Sequence, residues 1–341
     1  MNQTPSRSRR NDLARRIAER LKHADSIAIA THLGGDGDGW GSACAIAHHF
    51  SAAGTDVQLL AGSPFATSFR FLLPAGLEPL PPNEAGIEVL RNADVQLAVD
   101  TSERSRLGEF ADHFEPDRTV VIDHHAVASR EIEASLSLID PDAAASAELV
   151  YDVLAGTGDR IAPDTARALY VGLVTDTGSF RYSNTSAHVH RLAAVLLEAG
   201  VDPEAMYGPL FATATPQELG VLSEVLGAIR RDEELGLTWA VVDLEVRRRF
   251  GPLDEYESII DHLRNLAGTE VAVLFRELED GKVKVSFRST GLADVAALAQ
   301  SFGGGGHVKA AGATLSGDSA AASERVLDAC RSALAALRTR S

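Results

Sequence analysis

The first half of the chain alternates short apolar runs with stretches of helical period. The runs SIAIATH (26–32), VQLLAG (57–62), VQLAVD (95–100) and TVVID (119–123) are rich in Val, Ile and Leu and barely alternate with polar residues. A strand buried on one face alternates with period two. A near-continuous apolar run is what a parallel sheet covered on both faces requires. Helical patterns over 39–53, 145–156, 163–174 and 186–199 supply that cover. The pattern predicts an α/β domain: a parallel sheet with helices on both faces.

What terminates these runs predicts the chemistry. The first is followed by His32, Asp36 and Asp38 in THLGGDGDGWGS, the third ends in Asp100, and the fourth ends in Asp123, His124 and His125. A later helical stretch, YVGLVTDTGSFRYSNTS, reaches Asp176. Ligands of parallel α/β sheets bind at the carboxyl ends of the strands. A lone Asp after a strand reads as a turn former or helix cap, and a lone His as a core residue. Four segments converging on one sheet edge read differently, because bare carboxylates at short range cannot all stay ionised. Divalent cations resolve that conflict. Carboxylate with imidazole suits Mn²⁺, with Mg²⁺, Co²⁺ and Fe²⁺ as substitutes. Two ions sharing one Asp, ~3.5–4 Å apart, would serve a phosphoryl displacement. The DGDG stretch lacks the Glu of a calcium-binding EF-hand loop. A dinucleotide fingerprint fails at Ser42, where its third glycine belongs.

The texture changes near residue 231. TEVAVLFRELEDGKVKVSFRST reads as a hairpin bending at EDGK, then comes a helix in LADVAALAQSF, the run GGGGHVKAAGATL and a final helix. This predicts a smaller α+β domain at 233–341, joined by a helical linker at 191–232 to a catalytic domain at 1–190. Net charge of −16 argues against a protein that coats long duplex nucleic acid through a basic face. Cys44 and Cys330 are the only cysteines and are expected to be buried thiols. No apolar run is long enough to span a bilayer, and no apolar signal core follows the basic start MNQTPSRSRRND, so a cytoplasmic protein with a frayed start is expected.

The motifs HLGGDGDGWGS, VDTSERSRLG, IDHHAV, VTDTGSFRYSNTS and GGGGHVKAAGATL occur in that order. With them the chain resembles the DHH–DHHA1 phosphoesterases, within them the nanoRNase group of bifunctional oligoribonucleases and pAp phosphatases. The resemblance implies two Mn²⁺, one held by His32, Asp36 and Asp100, the other by Asp38, Asp100, His124 and Asp176. It implies that His125 contacts phosphate or orients the site and that Asp123 orients a histidine. Arg288, Gly304, Gly305, Gly306 and His307 are expected to bind substrate, Arg288 by bidentate contact with a phosphate and the glycines through backbone N–H groups. Arg104, Arg181 and Asn184 lie in matching motifs and are expected to support the site. The implied substrates are short RNA oligonucleotides and pAp. A cyclic di-AMP phosphodiesterase is the alternative, and a non-catalytic nucleotide sensor a further one. A homodimer is also implied. Gly35 and Gly39 depart from the family, which has Pro and Ala there. Trp40, beside them, is expected in the core.

Overall fold

The computed structural model describes residues 7–125, 130–212, 215–250 and 257–339. The chain divides into two compact units, Met1–Thr213 and Ala214–Ser341. The first contains α1 (Arg7–Lys22), β1 (Ser26–Ala30), α2 (Gly37–Ala52), β2 (Asp56–Leu60), α3 (Glu84–Asn92), β3 (Val95–Val99), β4 (Thr119–Asp123), β5 (Leu136–Ile139), α4 (Ser146–Gly156), α5 (Pro163–Asp176), α6 (Ala187–Glu198) and α7 (Pro203–Phe211). The strands form a five-stranded sheet in the order β2-β1-β3-β4-β5, parallel throughout.

Both faces of this sheet are apolar, as the runs predict. Ile27, Ile29, Leu97, Val99 and Ile122 pack under α1, α2, α4 and α5 through Ile17, Leu21, Ile46, Val153 and Leu169. The alternate residues Ala28, Ala30, Ala98 and Val121 pack on the other face with Leu90 of α3 and with Phe110 and Phe114. The order 2-1-3 places a topological switch point between β1 and β3, and ligand sites of open α/β sheets form there.

Two features differ from the sequence reading. Residues 7–12, expected to fray, belong to α1; residues 1–6 lie outside the described residues. Leu13, Ile17 and Leu21 recur at helical spacing and pack against the core, and Arg10 binds three carboxylates. The spacing was visible in the sequence, beneath a run of arginines. Strand β5 was also missed. It is four residues long, and its run LSLI sits among polar residues.

The second unit contains α8 (Pro216–Gly227), β6 (Arg230–Asp232), β7 (Leu237–Val242), α9 (Leu244–Phe250), α10 (Glu257–Arg264), β8 (Val271–Glu277), β9 (Lys282–Ser289), α11 (Val295–Gln300), β10 (Gly305–His307), β11 (Ala310–Ser316) and α12 (Ser319–Arg338). Its six strands run in the order β10-β11-β9-β8-β7-β6, with only β7 and β8 parallel. The predicted hairpin is β8–β9, turning through Gly281 at φ 74°. The helices of segment 191–232 fall within the two units, α7 in the first and α8 in the second. Among the described residues no helix is long and apolar enough to cross a membrane.

Candidate metal centre

The loop after β1 is built to aim a histidine nitrogen. His32 Nδ1 donates to the Leu33 carbonyl at 2.9 Å, which directs Nε2 the other way. Nε2 is buried without a hydrogen-bond partner and lies 3.4 Å from Asp100 Oδ2 and 3.7 Å from Asp36 Oδ2. Asp36 is the N-cap of α2: its Oδ1 accepts from the N–H groups of Asp38 and Gly39, both at 3.1 Å. Oδ2 is thereby turned to His32.

Asp38, in the first turn of α2, is fully buried. Its carboxylate is held by the N-terminus of α4: Oδ2 accepts from Ser146 N at 2.5 Å and Oδ1 from Ala147 N at 2.9 Å. Ser146 Oγ in turn donates to Asp100 Oδ1 at 2.8 Å. Asp100 follows β3 at φ 62°, a left-handed conformation that favours glycine, Asn or Asp. That kink turns a carboxylate off the strand end.

His124 and His125 follow β4. His124 Nδ1 faces the Ala143 carbonyl at 3.3 Å; its Nε2 lies 3.0 Å from Asp176 Oδ2 and 3.7 Å from both Asp38 Oδ2 and Asp100 Oδ1. His125 Nδ1 bonds Asp123 Oδ1 at 2.7 Å and lies 3.7 Å from Asp100 Oδ1. Asp176 closes α5, and Asn184 Nδ2 ties its carbonyl and that of Ala144 together, each at 3.0 Å.

Glycines allow this crowding. A Cβ on Gly172 of α5 would lie 2.7 Å from Asp38 Oδ1 and from Ala147 Cβ. A Cβ on Gly39 would lie 2.3 Å from Thr31 Oγ1, and one on Gly35 2.6 Å from Trp40 Nε1. The two departures from the family motif are therefore close-packed. Trp40 takes up the space as a core residue, edge-on to Phe65 at 4.7 Å.

The donor set fits divalent cations. Among the described residues three groups have ligand atoms within 4.8 Å of one another: His32, Asp36 and Asp100; Asp38, His124 and Asp176; Asp100, His124 and His125. Asp100 and His124 each belong to two. Without an ion the cluster gathers protons. Burial, reinforced by Asp100 and Asp176, pushes Asp38 well above the usual carboxylate range. Burial likewise raises Asp176. Burial disfavours charge on His32 and His124, but the facing carboxylates win and raise both to about 10. Such a site calls for positive charge, and His32 Nε2 is a buried nitrogen without a hydrogen-bond partner, whose lone pair a cation would take in place of a proton.

The structure thus brings together His32, Asp36, Asp38, Asp100, His124, His125 and Asp176, with Asp123 behind His125. Of the supporting candidates, Asn184 braces the centre, Arg104 pairs with Asp112, and Arg181 Nε donates to the Gly178 carbonyl. Ser146, Ala147 and Gly172 were missed. They act through a backbone N–H, a helix terminus and an absent side chain. In the second unit, Arg288 lies one residue before the end of β9, with Nη1 on the Phe287 carbonyl at 3.1 Å and Nε 3.9 Å from Asp261 Oδ1. The N–H groups of Gly303 and Gly304 close α11 on Gln300 and Ala299, while Gly305 and Gly306 pair with Gly312 and Ala311 of β11. A Cβ on Gly304 would meet the Gly312 carbonyl oxygen at 2.1 Å, so glycine lets the ladder close. The His307 side chain lies outside what is described, as do residues 126 and 127 of the third motif.

Comparison with known proteins agrees with this geometry. Residues 26–173 match the DHH family, N-terminal domain, and residues 252–336 the DHHA1 domain. The bifunctional oligoribonuclease and PAP phosphatase NrnA of Thermus thermophilus is 34% identical over 325 residues, covering 94% of each chain. Its Bacillus subtilis namesake is 26% identical, covering 85% of this chain and 90% of its own. An exopolyphosphatase-related protein from Bacteroides fragilis superposes with a TM-score of 0.87 at 23% identity, covering 95% of each chain, a likeness of fold. With both domains matched in order and one relative alike along nearly the whole length, the chain belongs to the DHH–DHHA1 family of phosphoesterases.

Proposed function

We propose that this chain hydrolyses short oligoribonucleotides such as pApA to mononucleotides, and pAp to AMP, using two Mn²⁺ ions. The observation that carries the reading is Asp100. One buried carboxylate turns Oδ2 to His32 and Oδ1 to His124, so that it belongs to two ligand groups at once. The names of the Thermus and Bacillus relatives support the substrate class.

In this reading His32, Asp36 and Asp100 hold one ion, and Asp38, Asp100, His124 and Asp176 the other. Bound ions of this kind lower the pKa of water and offset charge on the phosphoryl group. The protein's own part is to fix the ligands and to shape what surrounds the phosphate. His125, its ring held by Asp123, contacts a phosphoryl oxygen. Arg288 and His307 of the second unit bind the nucleotide, and Gly304, Gly305 and Gly306 contribute by letting it approach a bare strand edge rather than as a loop of free N–H groups.

A competition assay tests this. Purified protein with Mn²⁺ receives pApA, pAp, cyclic di-AMP and pyrophosphate together, and products are followed by chromatography, with Asp100→Asn in parallel. Early loss of pApA and pAp, absent in the variant, is expected. Preferential loss of cyclic di-AMP would overturn the substrate assignment. No turnover by Mn²⁺-loaded wild type would overturn the enzymatic reading.

A further inference from the structure

Behind the candidate metal centre, the turn 140–148 carries much of the cluster's support. Ser146 N and Ala147 N hold Asp38, Ser146 Oγ holds Asp100, and the Ala143 carbonyl faces His124 Nδ1. The Ala144 carbonyl takes Asn184, which also binds the carbonyl of Asp176. The placement of four ligands therefore depends on one short segment.

Something must hold that segment in turn. Asp140 and Glu148 stand at its two ends, each with only 5% of its side chain exposed. Asp140 Oδ1 accepts from Asp142 N at 3.1 Å, and Glu148 Oε2 from Ala144 N at 3.0 Å, so each carboxylate braces the turn's backbone. Their outer oxygens meet a single guanidinium. Arg10 of α1 donates from Nη1 to Asp140 Oδ2 at 3.2 Å and from Nη2 to Glu148 Oε1 at 2.8 Å. Its Nε donates to Asp152 Oδ2 at 2.7 Å. Arg10 is itself 12% exposed, so these pairs are little screened by solvent.

We propose that Arg10 is a positioning residue for the divalent-cation centre: by clamping Asp140 and Glu148 it fixes turn 140–148, and through Ser146 the ligands Asp38 and Asp100. The inference rests on the reading of the cluster as a cation site. The planar fork of arginine suits the role, because it reaches several carboxylates along fixed directions; a lysine ammonium keeps the charge and loses the directions. Partners that orient metal ligands typically account for a 10–100-fold effect on metal affinity.

The test is calorimetric titration of Mn²⁺ into the metal-free full chain, with melting temperature recorded alongside. Wild type, Arg10→Lys, Ser146→Ala and the double variant are compared. Each single change is expected to weaken Mn²⁺ binding about 10-fold or more. The double variant should weaken it by clearly less than the product of the two, because both act on one turn. If Arg10→Lys lowers the melting temperature but leaves Mn²⁺ affinity unchanged, its role is only structural and the proposal falls. Fully multiplicative effects overturn it as well, since the two residues would then act independently. Should Arg10→Lys not fold, Asp140→Asn tests the same link and must show the same sub-multiplicative pairing with Ser146→Ala. Failure of wild type to bind any divalent cation would overturn the cation reading itself, and this proposal with it.

Discussion

Replacing Gly172 with alanine separates site geometry from fold stability. The added Cβ would lie 2.7 Å from Ala147 Cβ and from Asp38 Oδ1, and 3.3 Å from Asp38 Cα. Carbon contacts settle near 3.5–4.0 Å, so something must yield by about 1 Å. Overpacking of this kind costs about 1–3 kcal/mol. A helical Gly→Ala change returns roughly 1 kcal/mol of helix propensity. The net loss is then ~0–2 kcal/mol, a fall in melting temperature of up to ~8 °C for a unit of this size. The site should suffer more. Asp38 can yield only by leaving the N–H groups of Ser146 and Ala147 that aim it. Hydrolysis of pApA and Mn²⁺ affinity should each drop at least ~10-fold, as for loss of a ligand's orienting partner. Calorimetric melting, Mn²⁺ titration and a pApA assay on one preparation decide it. A folded variant with wild-type Mn²⁺ affinity would show that the contact has slack and that Asp38 is not wedged in place.

Asp100→Asn should fold, because Asn tolerates the φ of 62°, yet lose metal-dependent activity by at least ~100-fold on the scale of charged active-site groups; circular dichroism beside the assay checks both halves. Metal binding should release protons and tighten as pH rises. His32 and His124 hold a proton up to about 10 in the ion-free cluster, and Asp38 and Asp176 are also raised. The sign follows for stability too: groups with raised folded pKa favour the ion-free fold at low pH and lose that contribution as pH climbs, so chelator-treated protein should melt progressively lower from about pH 6.5 toward 10. Melting scans with and without Mn²⁺ test this, and a flat profile would refute it. Arg288→Ala should raise KM for pAp ~10–100-fold, the worth of a hydrogen bond to a charged group, with little change in kcat. Cys44 and Cys330, both pushed by burial to about 12, should resist a thiol reagent at pH 8 until the chain is unfolded.

The parts legible in the sequence were those written in side chains at a strand's period or end. Apolar runs gave the sheet with helices on both faces, and the carboxylates and histidines that end them gave the ligands. The illegible parts act through backbone and packing. Ser146 reads in the sequence as one small residue among alanines; its importance comes from the two N–H groups at the start of α4 and the carboxylate they meet. Gly172 reads as a weak point in a helix until Asp38 is known to lie beneath it. Arg10 was hidden by its arginine neighbours, and with it the helix it anchors. In the second unit the glycine run promised a loop of free N–H groups. The structure instead uses those of Gly303 and Gly304 to close α11, and places Gly305 and Gly306 in a strand beside β11.

The parallel sheet has a consequence for the order in which the protein is made. Neighbouring strands here join residues far apart in the chain, and such pairings form only after long loops close. The ligands are spread from His32 to Asp176. Until the ribosome, adding ~5–20 residues per second, has passed α4 and then the end of α5, Asp36, Asp38 and Asp100 exist without, in turn, the N–H groups of α4 and the carboxylate of Asp176. A nascent chain shorter than this has the acids of the centre and lacks its frame. All of the centre's ligands are therefore present only once the chain has grown past Asp176, before any of the second unit is made.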